Sequence, residues 1–236
     1  MANFRQNSFA SAASGVSYDA GLRAYMVKVY NYMAIALGVS GAVAFLTAQS
    51  TALMSAIFGT PLSWVVMLAP LGFVMFFGYK INSISAEKAK TYLWIFSGLM
   101  GLSMATIFVV YTNASIARVF FISASTFGAM SLYGYTTKKD LSGLGSFLMM
   151  GLIGLIIASL VNIFLKSSAL DFALSAIGVL IFVGLTAYDT QRVKQSYYHS
   201  SDSEAIGKMA VMGALSLYMD FINLFLMMLR LFGERK

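Results

Sequence analysis

Cysteine is absent from the 236 residues, which excludes disulfides, thiolate metal sites and a cysteine nucleophile together. Histidine occurs once, as His199 in a polar stretch, so metal hydrolase schemes lack their imidazole ligands. No Gly-rich phosphate loop, zinc-spaced His/Cys set or Ser-His-Asp constellation occurs, and no enzymatic activity is expected. Charge is scarce as well. Only 11% of residues are Asp, Glu, Lys or Arg against 59% hydrophobic, too little polar surface to cover a soluble globule of this length. Lipid must cover the rest.

What the chain does have is apolar runs of about 20 residues, the length a helix needs to cross a bilayer core of roughly 30 Å. The segments 24–48, 62–80, 91–111, 116–136, 143–165, 170–191 and 208–232 predict an all-α integral membrane protein. Pro61, Asn82-Ser83, Asn113, Lys138-Lys139-Asp140, Ser167-Ser168 and the polar run 197–207 mark the breaks. Residues 1–21, rich in Ser, Ala and Asn and without a secretory signal, read as a flexible cytosolic tail. Residues 22–236 read as one transmembrane domain.

The formal charge of +7 would suggest nucleic acid in a soluble protein. Here the basic residues sit in short loops and report topology instead. With a cytosolic N-terminus and seven alternating spans, Arg5, Arg23, Lys28, Lys80, Lys88, Lys90, Lys138, Lys139, Arg192, Lys194 and Lys208 collect inside. The basic tail Arg235-Lys236 argues for the other side, and leaves open six spans with a re-entrant last segment. Gly38 with Gly41, Gly98 with Gly101 and Gly151 with Gly154 read as sites of close helix approach, where dispersion contact replaces the hydrophobic drive that lipid removes.

An ionisable side chain within a span costs at least about 2.5 kcal/mol on insertion scales, so each is a functional candidate. Asp220 lies near the middle of the last segment, and helical spacing sets Gly213, Ser216, Asp220 and Asn223 on one stripe. Asp189 closes the sixth segment, on a face with Thr186 and Thr190. Two carboxylates from adjacent helices, if close, cannot both be charged cheaply in low dielectric and would share a proton. They also offer the hard oxygen ligands that Ca²⁺ prefers. The plainer alternatives are an i,i+3 pair of Asp189 with Arg192 and a packing clasp at Asp220. Lys80 ends the second segment, where a lysine either snorkels or enters a buried pair, and Arg230 reads as an interfacial anchor.

Tyr188-Asp189-Thr190-Gln191, then Ala214-Leu215-Ser216-Leu217-Tyr218-Met219-Asp220-Phe221-Ile222-Asn223-Leu224-Phe225 and Leu229-Arg230-Leu231-Phe232-Gly233 resemble the Bax inhibitor family, most of all its bacterial branch. Lys138-Lys139-Asp140-Leu141-Ser142 fits too. The resemblance implies seven transmembrane helices, six around a central C-terminal seventh, in a bacterial inner membrane. It further implies a pH-sensitive calcium leak in which Asp189 and Asp220 are proton sensor and calcium site. Lys80 is the closest match to the basic latch on that pair, with Lys in place of the family's Arg. The second segment contains no acidic partner for Arg230. An interaction protein that modulates a membrane quality-control protease through its tail is the alternative. An intramembrane aspartyl protease would need a Gly-x-Gly-Asp motif, and Gly143-Leu144-Gly145-Ser146 lacks the Asp.

Overall fold

In the computed structural model the described residues are 2–198 and 202–236, with side chains from residue 20 onward. His199 lies outside them, and the side chains of the expected tail fall almost wholly outside. The described chain is helical without strands: α1 (Ala2–Gln49), α2 (Thr51–Phe58), α3 (Leu62–Lys80), α4 (Ala86–Met104), α5 (Ile107–Val110), α6 (Asn113–Thr136), α7 (Ser142–Leu165), α8 (Ser168–Tyr197) and α9 (Ser203–Phe232). Seven stretches are long and apolar enough to cross a membrane, the third running through α4 and α5.

Polar residues at the breaks close the helix ends. Ser85, Thr112, Ser167 and Asp202 accept hydrogen bonds from the first free N–H groups of α4, α6, α8 and α9, each worth about 1 kcal/mol. Lys166 stops α7 in the left-handed conformation, φ 50°. Two expectations change. Residues 203–207 of the polar run are helix, because the Asp202 cap starts α9 five residues before the expected segment. The third segment is interrupted at Ala105, whose N–H reaches back only to Leu102 O.

α9 is one unbroken helix, long and apolar enough to cross a membrane, and it runs from one end of the bundle to the other, as seven spans require and a re-entrant segment does not. At its start Glu204 Oε1 accepts from Ala86 N at 2.6 Å, beside the turn between α3 and α4. Past its end Thr112 N donates to Glu234 O and Lys236 N to Val110 O, beside the opposite turn between α5 and α6. Arg118 pairs there with Glu234 at 2.8 Å.

The core gathers on α9, where Leu217, Tyr218 and Leu224 are 0% exposed. α1, α4, α6 and α8 pack against it, whereas α3 packs mainly on α4 and α7 on α8. Outward residues of α3 and α7, among them Trp64 and Phe147, stay exposed for lipid. Within the core Phe96 meets the Tyr218 ring edge-on at 5.7 Å, and Phe120 and Phe127 both meet Phe221. Of the three Gly pairs, Gly101 abuts the α1 backbone at Ser40 O and Gly151 touches Ile181, but Gly38, Gly41, Gly98 and Gly154 face open space. Among the described glycines the tightest approach to another helix's backbone is at Gly134, against the Ala187 carbonyl of α8.

Candidate functional site

α8 and α9 lie side by side because small residues let them. A Cβ on Gly213 would meet the Val193 methyls at 3.0 Å, and one on Gly178 would meet the Met227 sulfur at 2.9 Å. One turn before Val193 is Asp189, and two turns after Gly213 is Asp220. This register brings the Asp189 and Asp220 side chains together as direct neighbours. Asp220 is 6% exposed and its Oδ2 is the one buried side-chain polar atom among the described residues without a hydrogen-bond partner. Asp189 is only partly buried. It borders a cavity of about 220 Å³ that Arg192, Ser196, Met209, Met212 and Ser216 also line, room for several waters at roughly 30 Å³ each. Arg192 at the mouth is exposed. Asp220 does not line the cavity, whereas its neighbour Asp189 does.

The other expected residues divide. Ser216 lines the cavity. Thr186 is buried but donates to Phe182 O at 2.7 Å within its own helix. Thr190 donates to Ser131 Oγ at 3.2 Å, tying α8 to α6. Asn223, partly buried, follows one turn below Asp220. Lys80 is not brought to the pair. It ends α3, and among the described residues it forms no ion pair with either aspartate. The basic group acting on Asp189 is Arg192, one turn along the same helix. Arg230 is also elsewhere, at the far end of α9, and its acidic partner is Asp171 in the first turn of α8, 3.8 Å away. The second span needed no acid because the sixth supplies it.

Beyond two carboxylates the site provides few oxygens, and among the described residues no group of three or more His, Cys, Asp or Glu could hold a metal. Ca²⁺ takes six to eight oxygens. Two carboxylates alone leave most of those positions to be filled by other oxygens.

Two features escaped sequence reasoning. Gln191 grips the turn between α6 and α7: its Oε1 accepts from Leu141 N at 2.9 Å and its Nε2 donates to Lys139 O at 2.8 Å. The Lys138–Ser142 and Tyr188–Gln191 motifs therefore touch in space, two residues from Asp189. The second is a buried hydroxyl chain, Tyr218 to Ser40 at 2.6 Å and Ser40 to Ser97 O at 2.8 Å, joining α9, α1 and α4. A serine in a Gly-rich segment carries no signal that separates this role from packing.

Comparison with known proteins agrees with this architecture. The family described as inhibitor of apoptosis-promoting Bax1 matches residues 22–236. An uncharacterised protein of Rickettsia prowazekii (strain Madrid E) is 49% identical, covering 93% of this chain and 93% of its own. The inner membrane protein YbhL of Escherichia coli (strain K12) is 46% identical over 97% of this chain and 99% of its own. An uncharacterised membrane protein of Streptococcus pyogenes serotype M1 is 35% identical over 92% and 95%.

Proposed function

The chain belongs to the Bax inhibitor family, and from that premise we propose that it is a pH-sensitive cation leak, with Ca²⁺ as cargo, gated at Asp189 and Asp220. The observation that carries this reading is the placement of the pair. One carboxylate borders a cavity with room for several waters, and the other, outside that lining, has a buried oxygen with no partner. An unsatisfied buried acceptor costs about 1–3 kcal/mol, more if charged. A proton or a cation at the pair removes that cost, so the two compete for one place.

In this reading Asp189 receives the proton or ion from the cavity and Asp220 holds it at depth. Arg192 at the mouth takes the role expected of Lys80, because it is the cation that acts on Asp189. A proton shared by the pair removes one negative charge and loosens its hold on Arg192. That biases two states separated by a small gap. The membrane is a bacterial inner membrane, as the name of the Escherichia coli relative suggests. The end that carries Arg23, Lys80, Lys138, Lys139 and Lys208 faces the cytosol, following the bias of Lys and Arg in short loops.

The test is Ca²⁺ flux into proteoliposomes as a function of pH, for wild type, Asp189→Asn and Asp220→Asn. Wild-type flux should change with pH, and both variants should lose that response. Flux no greater than in protein-free liposomes, with the protein shown to be folded, overturns the proposal.

A further inference from the structure

Outside the aspartate site, two adjoining cavities of about 460 and 580 Å³ open between α1 and α6 at the more basic end of the bundle. Both helices pack on α8 and α9 and leave this gap between themselves. Arg23, Val27 and Tyr135 line both cavities. From Arg23 to Tyr30 the groove descends about 10 Å along α1, and from Tyr135 to Phe127 about 12 Å along α6.

The groove is polar at one end and apolar below. Its lower walls are Met26, Val27, Phe127 and Leu132, and Gly128 keeps the slot open, since a Cβ there would meet nothing within 4 Å. At the upper end Arg23 is exposed and has no acidic partner among the described residues. Lys194 lines neither cavity but stands beside the Tyr135 they share, with Nζ donating to Tyr135 O at 2.8 Å and lying 5.0 Å from the Tyr135 ring centre. Among the described residues no carboxylate lines either cavity.

A cation at the polar end, Arg23, with a second, Lys194, beside Tyr135, above an apolar slot that runs down the two helices, matches one molecule in both parts. We propose that this groove binds an anionic phospholipid, its phosphate on Arg23 and Lys194 and one acyl chain along Val27, Phe127 and Gly128. A soluble anion has no use for the apolar wall. A zwitterionic lipid leaves the excess positive charge unmatched. Basic pockets between helices on the cytoplasmic side take anionic headgroups in this way, each Lys or Arg contributing roughly a fivefold change in binding.

Native mass spectrometry of the intact protein from non-ionic detergent tests this, with phosphatidylglycerol, phosphatidylcholine and glycerol phosphate as probes. Wild type should retain phosphatidylglycerol over phosphatidylcholine, and glycerol phosphate should not displace it. Arg23→Gln should lower phosphatidylglycerol retention roughly fivefold and leave phosphatidylcholine unchanged. Gly128→Leu, which fills open space, should lower both. Arg118→Gln at the opposite end should change neither. Equal retention of the two lipids by wild type, or phosphatidylglycerol retention unaltered by both Arg23→Gln and Gly128→Leu, overturns the proposal. So does displacement by glycerol phosphate, which would mark a site for soluble phosphate. An unchanged unfolding temperature without lipid shows that each variant is folded.

Discussion

The hydroxyl chain beneath α9 gives a prediction whose sign depends on which atom donates. Ser40 has one proton, directed to Ser97 O at 2.8 Å and Ala36 O at 3.0 Å. Tyr218 must therefore donate to Ser40 Oγ at 2.6 Å. Tyr218 and Ser97 are 0% exposed and Ser40 is 1% exposed, so no solvent can substitute. Tyr218→Phe deletes the donor and leaves the Ser40 proton still bonded, which should cost about 0.5–1.5 kcal/mol. In membrane interiors such bonds average nearer 0.6 kcal/mol. Ser40→Ala instead strands the tyrosine hydroxyl in a dry core and should cost about 1–3 kcal/mol. In the double variant no orphan remains, so adding Tyr218→Phe to Ser40→Ala should be neutral or stabilising. Unfolding free energies in mixed micelles, titrated with a denaturing detergent, measure all four corners. A Tyr218→Phe cost equal to that of Ser40→Ala, or costs that simply add, refutes the assigned direction. The chain fixes the rotation of α9 two residues before Asp220, so Ser40→Ala should also blunt any pH response carried by the aspartate pair.

Gly134→Leu should destabilise by about 1–3 kcal/mol or more, because its Cβ would collide with the Ala187 backbone, while Gly98→Ala in open space should be neutral or stabilising by up to about 1 kcal/mol; the same unfolding assay reads both. Arg230→Gln should cost under about 1 kcal/mol, since both members of its pair with Asp171 are nearly half exposed. Asp140, between α6 and α7, accepts from the Ser142 hydroxyl and N–H, and these bonds hold its carboxyl below the ordinary carboxylate value. Its contribution is therefore complete above the unfolded-state value and is lost as pH falls through the lower folded one. A carboxyl ¹³C titration should place its midpoint below that of an unfolded peptide, and Asp140→Asn should flatten the acid limb of stability.

Composition and run length determined the class of this protein, because no soluble packing can hide so much apolar surface and about 20 apolar residues fit a bilayer. Depth within a span marked Asp220, and motif resemblance marked Asp189 with it. Helix boundaries were legible where a break carried Pro, Lys or Ser. They were misread at 197–207, where polar composition concealed the first turns of α9. What sequence could not supply was the partner of each residue, since pairing across helices depends on rotation and register. Lys80 and Arg192 are both basic residues near span ends, and only packing decides that Arg192 lies at Asp189 while Lys80 ends α3 away from the pair. Arg230 finds Asp171 for the same reason, across two helices whose ends meet only once the bundle is closed. The Gly pairs looked alike in sequence, yet Gly101 abuts a backbone and Gly98 faces open space, because a helix shows its neighbour only one side. Sequence determined that this chain is a membrane protein with two aspartates set among its apolar helices. Tertiary structure decided that they touch, that one borders a cavity with room for several waters and that the other does not, because those facts belong to the interface between α8 and α9 and to neither helix alone.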